Sequence, residues 1–447
     1  MKPTLKPSLR HGYDQVMAPG RTAASPRHLA RYLIWGLTVL VMLIAPLIFS
    51  SGFAITLLSQ MGIMIIFALS YNMLLGQSGM LSFGHAVYSG MGAFIAVHLL
   101  NQIGAGAVWF PVSLLPLVGG LGGAFFGVLF GYVTTRKAGT TFAMITLGIG
   151  EMVFASSLMF PDFFGGEGGV STNRVVGNAV LGITYGPGRQ VYYLIAVWCL
   201  VSMIAMYAWT QTPLGRIANA VRDNAERAEF VGYNTQRVRY LVVILSAFFA
   251  GISGGLSVIN FEIVSAENVG AAHSGSVLLA TFIGGGGFFF GPVIGAVIFV
   301  LFAVALSSLT QAWLLYLGLF FVLMVMFVPG GVSSLLMKQV PLFAARKFNR
   351  MLPSYAVALG AGVVLLAALI LTVELTYKLQ IDSDNGTGMT MAGIGFDAAS
   401  FKPWVVAAVL WVAGALGWRA AVARVHRAWD AVQVEIADVA QVVRGAR

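Results

Sequence analysis

Residues 212–239 read TPLGRIANAVRDNAERAEFVGYNTQRVR, the one long charged segment that lies between apolar spans. It holds five arginines, two glutamates and one aspartate (Arg216, Arg222, Asp223, Glu226, Arg227, Glu229, Arg237, Arg239). Each would cost about 2.5 to 3.5 kcal/mol in hydrocarbon on insertion scales, so the segment is in water. Thr212 suits an N-cap, Pro213 the first helical position and Gly232 a closing residue, which predicts one helix of about twenty residues joined to a span at each end. Ile217, Val221, Ala225, Ala228 and Val231 share one face of that helix. A short helix with a small-residue apolar stripe and a charged rim, held between two spans, is shaped to be gripped by another protein.

Outward from this loop the chain is oil. Of 447 residues 58% are hydrophobic and only 9% charged, and the mean hydropathy is +0.86. These values describe an all-α polytopic transmembrane helical bundle rather than a soluble core. Spans alternate to give ten or eleven crossings, some of them broken by glycine. The formal charge of +10 would suggest nucleic acid if it were clustered on a soluble domain, but it is topological. With the N-terminus inside, 22 of the 26 Lys and Arg fall on the inner side, and only Arg174, Arg189, Lys378 and Lys402 fall outside. The single Cys199 cannot form an intrachain disulfide. Both termini are expected in the cytosol.

Residues 1–30 read as a basic cytosolic tail. The second span runs into Gly76-Gln77-Ser78-Gly79-Met80-Leu81-Ser82-Phe83-Gly84-His85. So much glycine beside hydroxyls permits irregular backbone, which a membrane tolerates where it is buried in protein or lines a cavity. Ser78, Ser82, His85 and Ser89 recur at helical steps, so a helix through them would carry one polar stripe. Glu151 sits near the centre of an apolar run and must be paired, protonated or facing water. Gly284 to Gly287 and Gly291-Pro292 interrupt the apolar run from Val277 to Ser307, which suits a cavity or gate lining.

Four texts carry a resemblance. Glu226-Arg227-Ala228 followed by Gly232 resembles the Glu-Ala-Ala-x-x-x-Gly loop of ABC-importer permeases, with Arg227 departing from the second Ala. The segment from Asn72 to Phe94 matches at Asn72, Gly76, Gly79, Ser82, Gly84, His85, Gly90 and Gly92. Phe142 to Leu147 with Glu151, and Gly291, Pro292, Gly295 and Ala296, match further on. Together they resemble branched-chain amino acid permeases of the LivM and LivH type, over about Tyr32 to Leu336. The resemblance implies a permease domain at 31–337 whose loop 212–239 docks into an ATPase subunit, through Gly215, Arg216, Arg222, Asp223, Asn224, Glu226, Ala228 and Gly232. It implies a translocation path along Asn72, Ser78, Gly79, Ser82, His85, Thr146, Glu151, Gly284, Gly287, Gly291 and Pro292. His85 and Glu151 are each open to a structural or a substrate-facing role. Implied partners are a LivH-like second permease, two ATPase subunits (LivG-like and LivF-like) that hold the ATP and Mg, a periplasmic binding protein and the lipid bilayer of a bacterial inner membrane. No nucleic acid, catalytic residue, metal or cofactor is expected in this chain itself.

The expected cargo is a branched-chain amino acid, with urea, amides and aromatic carboxylates as alternatives. Two other classes are carried beside it. Broken helices and a buried Glu151 would also suit a gradient-driven secondary transporter, against which the charged loop argues. Gly76-Gln77-Ser78-Gly79 fits the GxSG of intramembrane serine proteases, yet His98 and His273 lie near span ends, where neither is an obvious base. HExxH and P-loop motifs are absent from the sequence.

The resemblance stops near Leu336. Residues 338–420 read as an added pair of spans, joined outside by a segment with Asp382, Asp384, Asn385 and Gly386. Residues 421–447 read as a cytosolic amphipathic helix with a seam of Val422, Val425, Trp429, Val432, Ile436, Val439 and Val443. That seam is expected to pack against another protein.

Overall fold

The computed structural model describes residues 26–176, 184–344, 348–380, 387–391 and 394–445. Most of the basic tail, and Asp382 to Gly386, lie outside them. Among the described residues eight helices are long and apolar enough to cross a bilayer, or nine if a pair bent by 49° is one span. The chain is a multi-pass helical bundle divided into two compact units, one of Ala30–Leu335 and one of Leu336–Arg447 with the few described residues before Ala30.

The first unit contains α1 (Pro26–Ile48), α2 (Gly52–Ser78), α3 (Ala86–Gly104), α4 (Leu115–Thr134), α5 (Thr140–Met159), α6 (Gly188–Gln211), α7 (Pro213–Asp223), α8 (Ala225–Phe230), α9 (Thr235–Phe261), α10 (Ala271–Gly284), α11 (Gly291–Val300), α12 (Trp313–Phe327) and the start of α13 (Gly331–Ala344). Its centre is α9, packed on α2, α3 and α4. Leaving lipid for an equally apolar interior gains an apolar helix little, so close packing must hold these helices together. α4 supplies glycine at 119, 123, 127 and 131, one face at steps of four, and α9 answers with Ala247, Gly251 and Gly255. A Cβ on Gly119 would sit 2.6 Å from the Gly251 carbonyl oxygen, and one on Gly127 2.7 Å from Ala247 Cβ. The two backbones therefore touch.

The apolar run from Val277 to Ser307, interrupted by glycine as its sequence shows, folds as a hairpin. A Cβ on Gly284 would overlap the Gly291 carbonyl, and one on Gly295 the Ala280 carbonyl. The paired positions run in opposite directions, so α10 and α11 are antiparallel and residues 285–290 form the turn between them.

Because α7 and α8 join the ends of α6 and α9, the other ends of those two helices lie on the opposite face. There β1 (Val170–Ser171) pairs antiparallel with β2 (Ile263–Val264). Arg174 holds this face together. Its N–H donates to Glu262 Oε1 (2.8 Å), its Nε to the Tyr185 carbonyl (2.8 Å) and its Nη1 to the Asn260 carbonyl (3.3 Å). Arg174→Ala removes charge-assisted bonds worth about 1.5 to 3 kcal/mol. Limited proteolysis of the folded protein is expected to cut the segment before α6 several times faster in this variant. An unchanged cutting rate would mean that the clamp does not order that segment.

In the second unit α14 (Phe348–Gln380), a hairpin of β3 (Gly388–Met391) and β4 (Ile394–Asp397), and α15 (Phe401–Gly445) follow one another. α14 and α15 pack together, with Trp411 Nε1 donating to Thr372 Oγ1 at 3.0 Å. Val425, Ala428, Trp429 and Val432 close on Met351 and Tyr355 at the start of α14. This corrects the expectation for the tail: the first half of its seam is covered by its own hairpin. The side chains of Ile436, Val439 and Val443 lie outside the described residues.

Candidate functional site

The α2 helix ends because Gly79 adopts a left-handed φ of +68°, a conformation that costs other residues energy. From this reversal the chain runs without helix back along α2 to His85. Tyr71 Oη donates to the Ser82 carbonyl (2.9 Å), and Ser70 Oγ lies 3.0 Å from His85 Nε2. Phe83 N–H donates to Thr146 Oγ1 on α5 (3.2 Å) and Ala86 N–H to Ser274 Oγ on α10 (3.0 Å). Irregular backbone at membrane depth needs such partners from protein. No helix passes through Ser78, Ser82, His85 and Ser89, so the expected polar stripe does not exist. Ser78 Oγ donates to the Leu74 carbonyl of its own helix (2.8 Å), and Ser89 Oγ meets Ser253 Oγ (3.2 Å).

Three buried polar atoms around this break have no hydrogen-bond partner: Asn72 Oδ1, Ser82 Oγ and His85 Nδ1. His85 is fully buried and stacks on Phe67 with ring centroids 5.5 Å apart. The other neighbour stacked on Phe67 is His273, at 4.9 Å.

His273 opens onto a cavity of about 700 Å³, lined from α5 by Glu151 and Phe154, from residues 265–270 by Ser265, Glu267, Asn268 and Gly270, from α10 by Ala271, Ala272, His273 and Ser276, and from α11 by Phe299. Glu151, expected to be paired, protonated or facing water, is exposed and lines this cavity. Two carboxylates, an imidazole, hydroxyls and two phenyl rings can together meet a small solute that has both a cationic and an apolar part. Glu267 and His273 were not among the residues picked from sequence. The available signal was Glu267 itself, an acidic residue in a short polar stretch between apolar runs.

The loop 212–239 differs from the single helix expected. Asn224 breaks it, accepting from Arg227 N–H at 2.9 Å as the N-cap of α8, so α7 and α8 are separate. Of the expected stripe, Val221 and Ala228 are buried in the core of the first unit and Ile217 and Ala225 pack against it, with Ala218 buried beside them, while Val231 is exposed. What the loop shows to water is Arg216, Arg222, Asp223, Asn224, Glu226, Arg227 and Gly232, together with Phe230 at 91% and Val231 at 72% exposure. Gly215 is buried, with no room for a side chain beside the Trp209 carbonyl.

Two groups of the residues expected along the path lie away from this cavity. Ser78 and Gly79 lie at the loop end of α2, where a Cβ on Gly79 would be 2.9 Å from Arg222 Cγ. Gly284 and Gly291 serve the backbone contact between α10 and α11 and line no part of the described cavity. Gly287 is open, and Pro292 is buried in the first turn of α11.

Comparison with known proteins agrees with this architecture. Residues 53–329 match the family model described as branched-chain amino acid transport system / permease component. The chain is 27% identical over 361 residues to the high-affinity branched-chain amino acid transport system permease protein LivM of Escherichia coli (strain K12), covering 76% of this chain and 84% of that one. It is 25% identical over 256 residues to LivH of Salmonella typhimurium (54% and 80%) and 23% identical over 244 residues to BraD of Pseudomonas aeruginosa (52% and 78%). No solved structure matches. With the family model covering the whole of the bundle from α2 to the end of α12, the chain belongs to the family of permease components of branched-chain amino acid transport systems.

Proposed function

We propose that this chain is one membrane subunit of an ATP-driven importer of branched-chain amino acids. A LivH-like permease, LivG-like and LivF-like ATPases holding the ATP and Mg, and a periplasmic binding protein would complete it. The observation that carries the reading is the α7–α8 loop: a charged, exposed unit whose apolar stripe packs internally as far as Ala228 and leaves Val231, with Phe230 beside it, exposed. In this reading the loop and both termini face the cytosol of a bacterial inner membrane, and the β1–β2 face receives the binding protein. The cavity beside Glu151 is then a stretch of the path, completed by the second permease.

Reconstitution tests the reading. Radiolabelled leucine is expected to enter proteoliposomes only when the whole complex, ATP and binding protein are present. Uptake driven by an ion gradient without ATP would overturn it. A second expectation concerns Glu151, whose carboxylate faces the cavity at membrane depth, where a bond to a substrate ammonium is charge-assisted and worth about 1.5 to 3 kcal/mol. Glu151→Gln should raise the leucine concentration for half-maximal uptake by roughly 10- to 100-fold. An unchanged value would place the ammonium elsewhere.

A further inference from the structure

Besides its covalent joins to α6 and α9 and the burial of Ala218, Val221 and Ala228, the loop reaches α2 through two polar side chains. Asn219 Nδ2 on α7 donates to Gln77 Oε1 on the last turn of α2 at 2.9 Å. Arg222 Nη1 donates to the Gly76 carbonyl. That carbonyl belongs to the last turn of α2, where the chain reversal at Gly79 leaves acceptors without an intrahelical partner and where a cation is favoured. Asp223 Oδ1 accepts from Arg222 Nε (3.0 Å) and Nη2 (2.9 Å), which fixes the plane of the guanidinium.

We infer that Arg222 is the residue that couples the α7–α8 loop to the break inside the bundle, so that α7 and the end of α2 move as one body. This rests on the importer reading above and adds a route to it. Only residues 80–84 separate the reversal from His85, and that segment has no helix of its own. Its anchors are Gly79 against Arg222 at one end, Tyr71 and Ser70 on α2 itself, Thr146 on α5, and Ser274 on α10, which holds Ala86 just beyond it. A push on α7 therefore reaches α5 and α10, two of the elements that line the cavity, without passing through α6 or α9. Arg222 acts here as a positioning residue, through a backbone carbonyl.

The test uses the whole complex in proteoliposomes, with radiolabelled leucine, ATP and the binding protein. In Arg222→Ala, uptake is expected to fall at least tenfold while the ATPase subunits co-purify at the wild-type ratio. Joining Gln77→Cys to Asn219→Cys with a short bis-thiosulfonate, in a Cys199→Ala background, should then bring Arg222→Ala back to within about threefold of the wild type. A residue that merely stabilises the fold would not be rescued in this way. The same link made with Arg222 present should leave uptake intact. If that link stops uptake, α7 and α2 must part during the cycle and the inference is wrong. Wild-type uptake by Arg222→Ala overturns it equally. Should Arg222→Ala fail to assemble, the linked protein with Arg222 in place decides alone. Absence of ATP-dependent uptake in the unlinked protein with Arg222 present would overturn the importer reading instead, so the two failures are told apart.

Discussion

Gly251→Leu is expected to leave no monodisperse protein after detergent extraction, whereas Gly318→Leu gives the wild-type profile. Gly251 lies on the central helix α9, and a Cβ there would overlap the Gly119 carbonyl oxygen and come within 3.0 Å of Gly120 Cα. All of these neighbours are backbone, so no rotamer change can relieve the overlap. The helices must separate, and separation forfeits the dispersion contacts that hold α4 to α9 where no hydrophobic driving force exists between apolar helices in lipid. Overpacking a core with room to adjust costs about 1 to 3 kcal/mol, and this junction has no such room. A loss at or above that range removes much of a typical stability of about 5 to 15 kcal/mol. Gly318 has nothing within 4 Å and serves as the control. Size-exclusion profiles of the two variants settle the matter, and equal peaks would show that the α4–α9 contact is softer than it looks.

That contact was legible in the sequence but was not read there. Glycines at 119, 123, 127 and 131 fall on one helix face, the small-residue signature of close helix approach. The glycines at 76–92 stand out instead because they lie beside hydroxyl groups, and those at 284–291 because they cluster next to Pro292. The charged loop was read correctly as lying outside the apolar spans, since the cost of burying eight ionised groups leaves no alternative. Its apolar face was also found by periodicity. Periodicity gives the face and not what the face meets, so Val221 and Ala228 were assigned to a partner when they pack on the permease itself.

A polar stripe through Ser78 and His85 assumes that the helix continues, and the glycine break within 277–307 leaves the direction of the chain open. Both are decided by backbone reversal, at Gly79 and at the turn 285–290, and side-chain spacing does not record reversal. For Glu151 the constraint is energetic, since an ionisable group in an apolar run must be paired, protonated or facing water, and its side chain is exposed at the cavity. Asn224 could have been found as well, since an Asn three residues before a backbone N–H inside a helical pattern is a helix start.

The loss of the ATPase should come from the tip of the loop. Phe230 and Val231, at the end of α8, are 91% and 72% exposed, and Tyr233 beyond the turn is 45% exposed. One exposed aromatic is ordinary on a protein surface. Here three large apolar residues stand together on a short water-facing loop whose other apolar side chains are packed inward, and Gly232 between them holds φ at +95° with open space around it. A flat, side-chain-free turn flanked by apolar residues fits a partner that approaches closely, and buried aromatic anchors dominate such contacts. Phe230→Asp combined with Val231→Asp is therefore expected to cost at least about 2 kcal/mol of docking energy, roughly a 30-fold weaker complex. The ATPase subunits would be lost during purification while the chain inserts and folds as before. This outcome separates docking from coupling, because Arg222→Ala is expected to keep the ATPase and lose uptake, and the tip variant to lose both. Retention of the ATPase at the wild-type ratio by the tip variant would move the docking contact off α8 and onto the charged face of α7, where Arg216 is exposed.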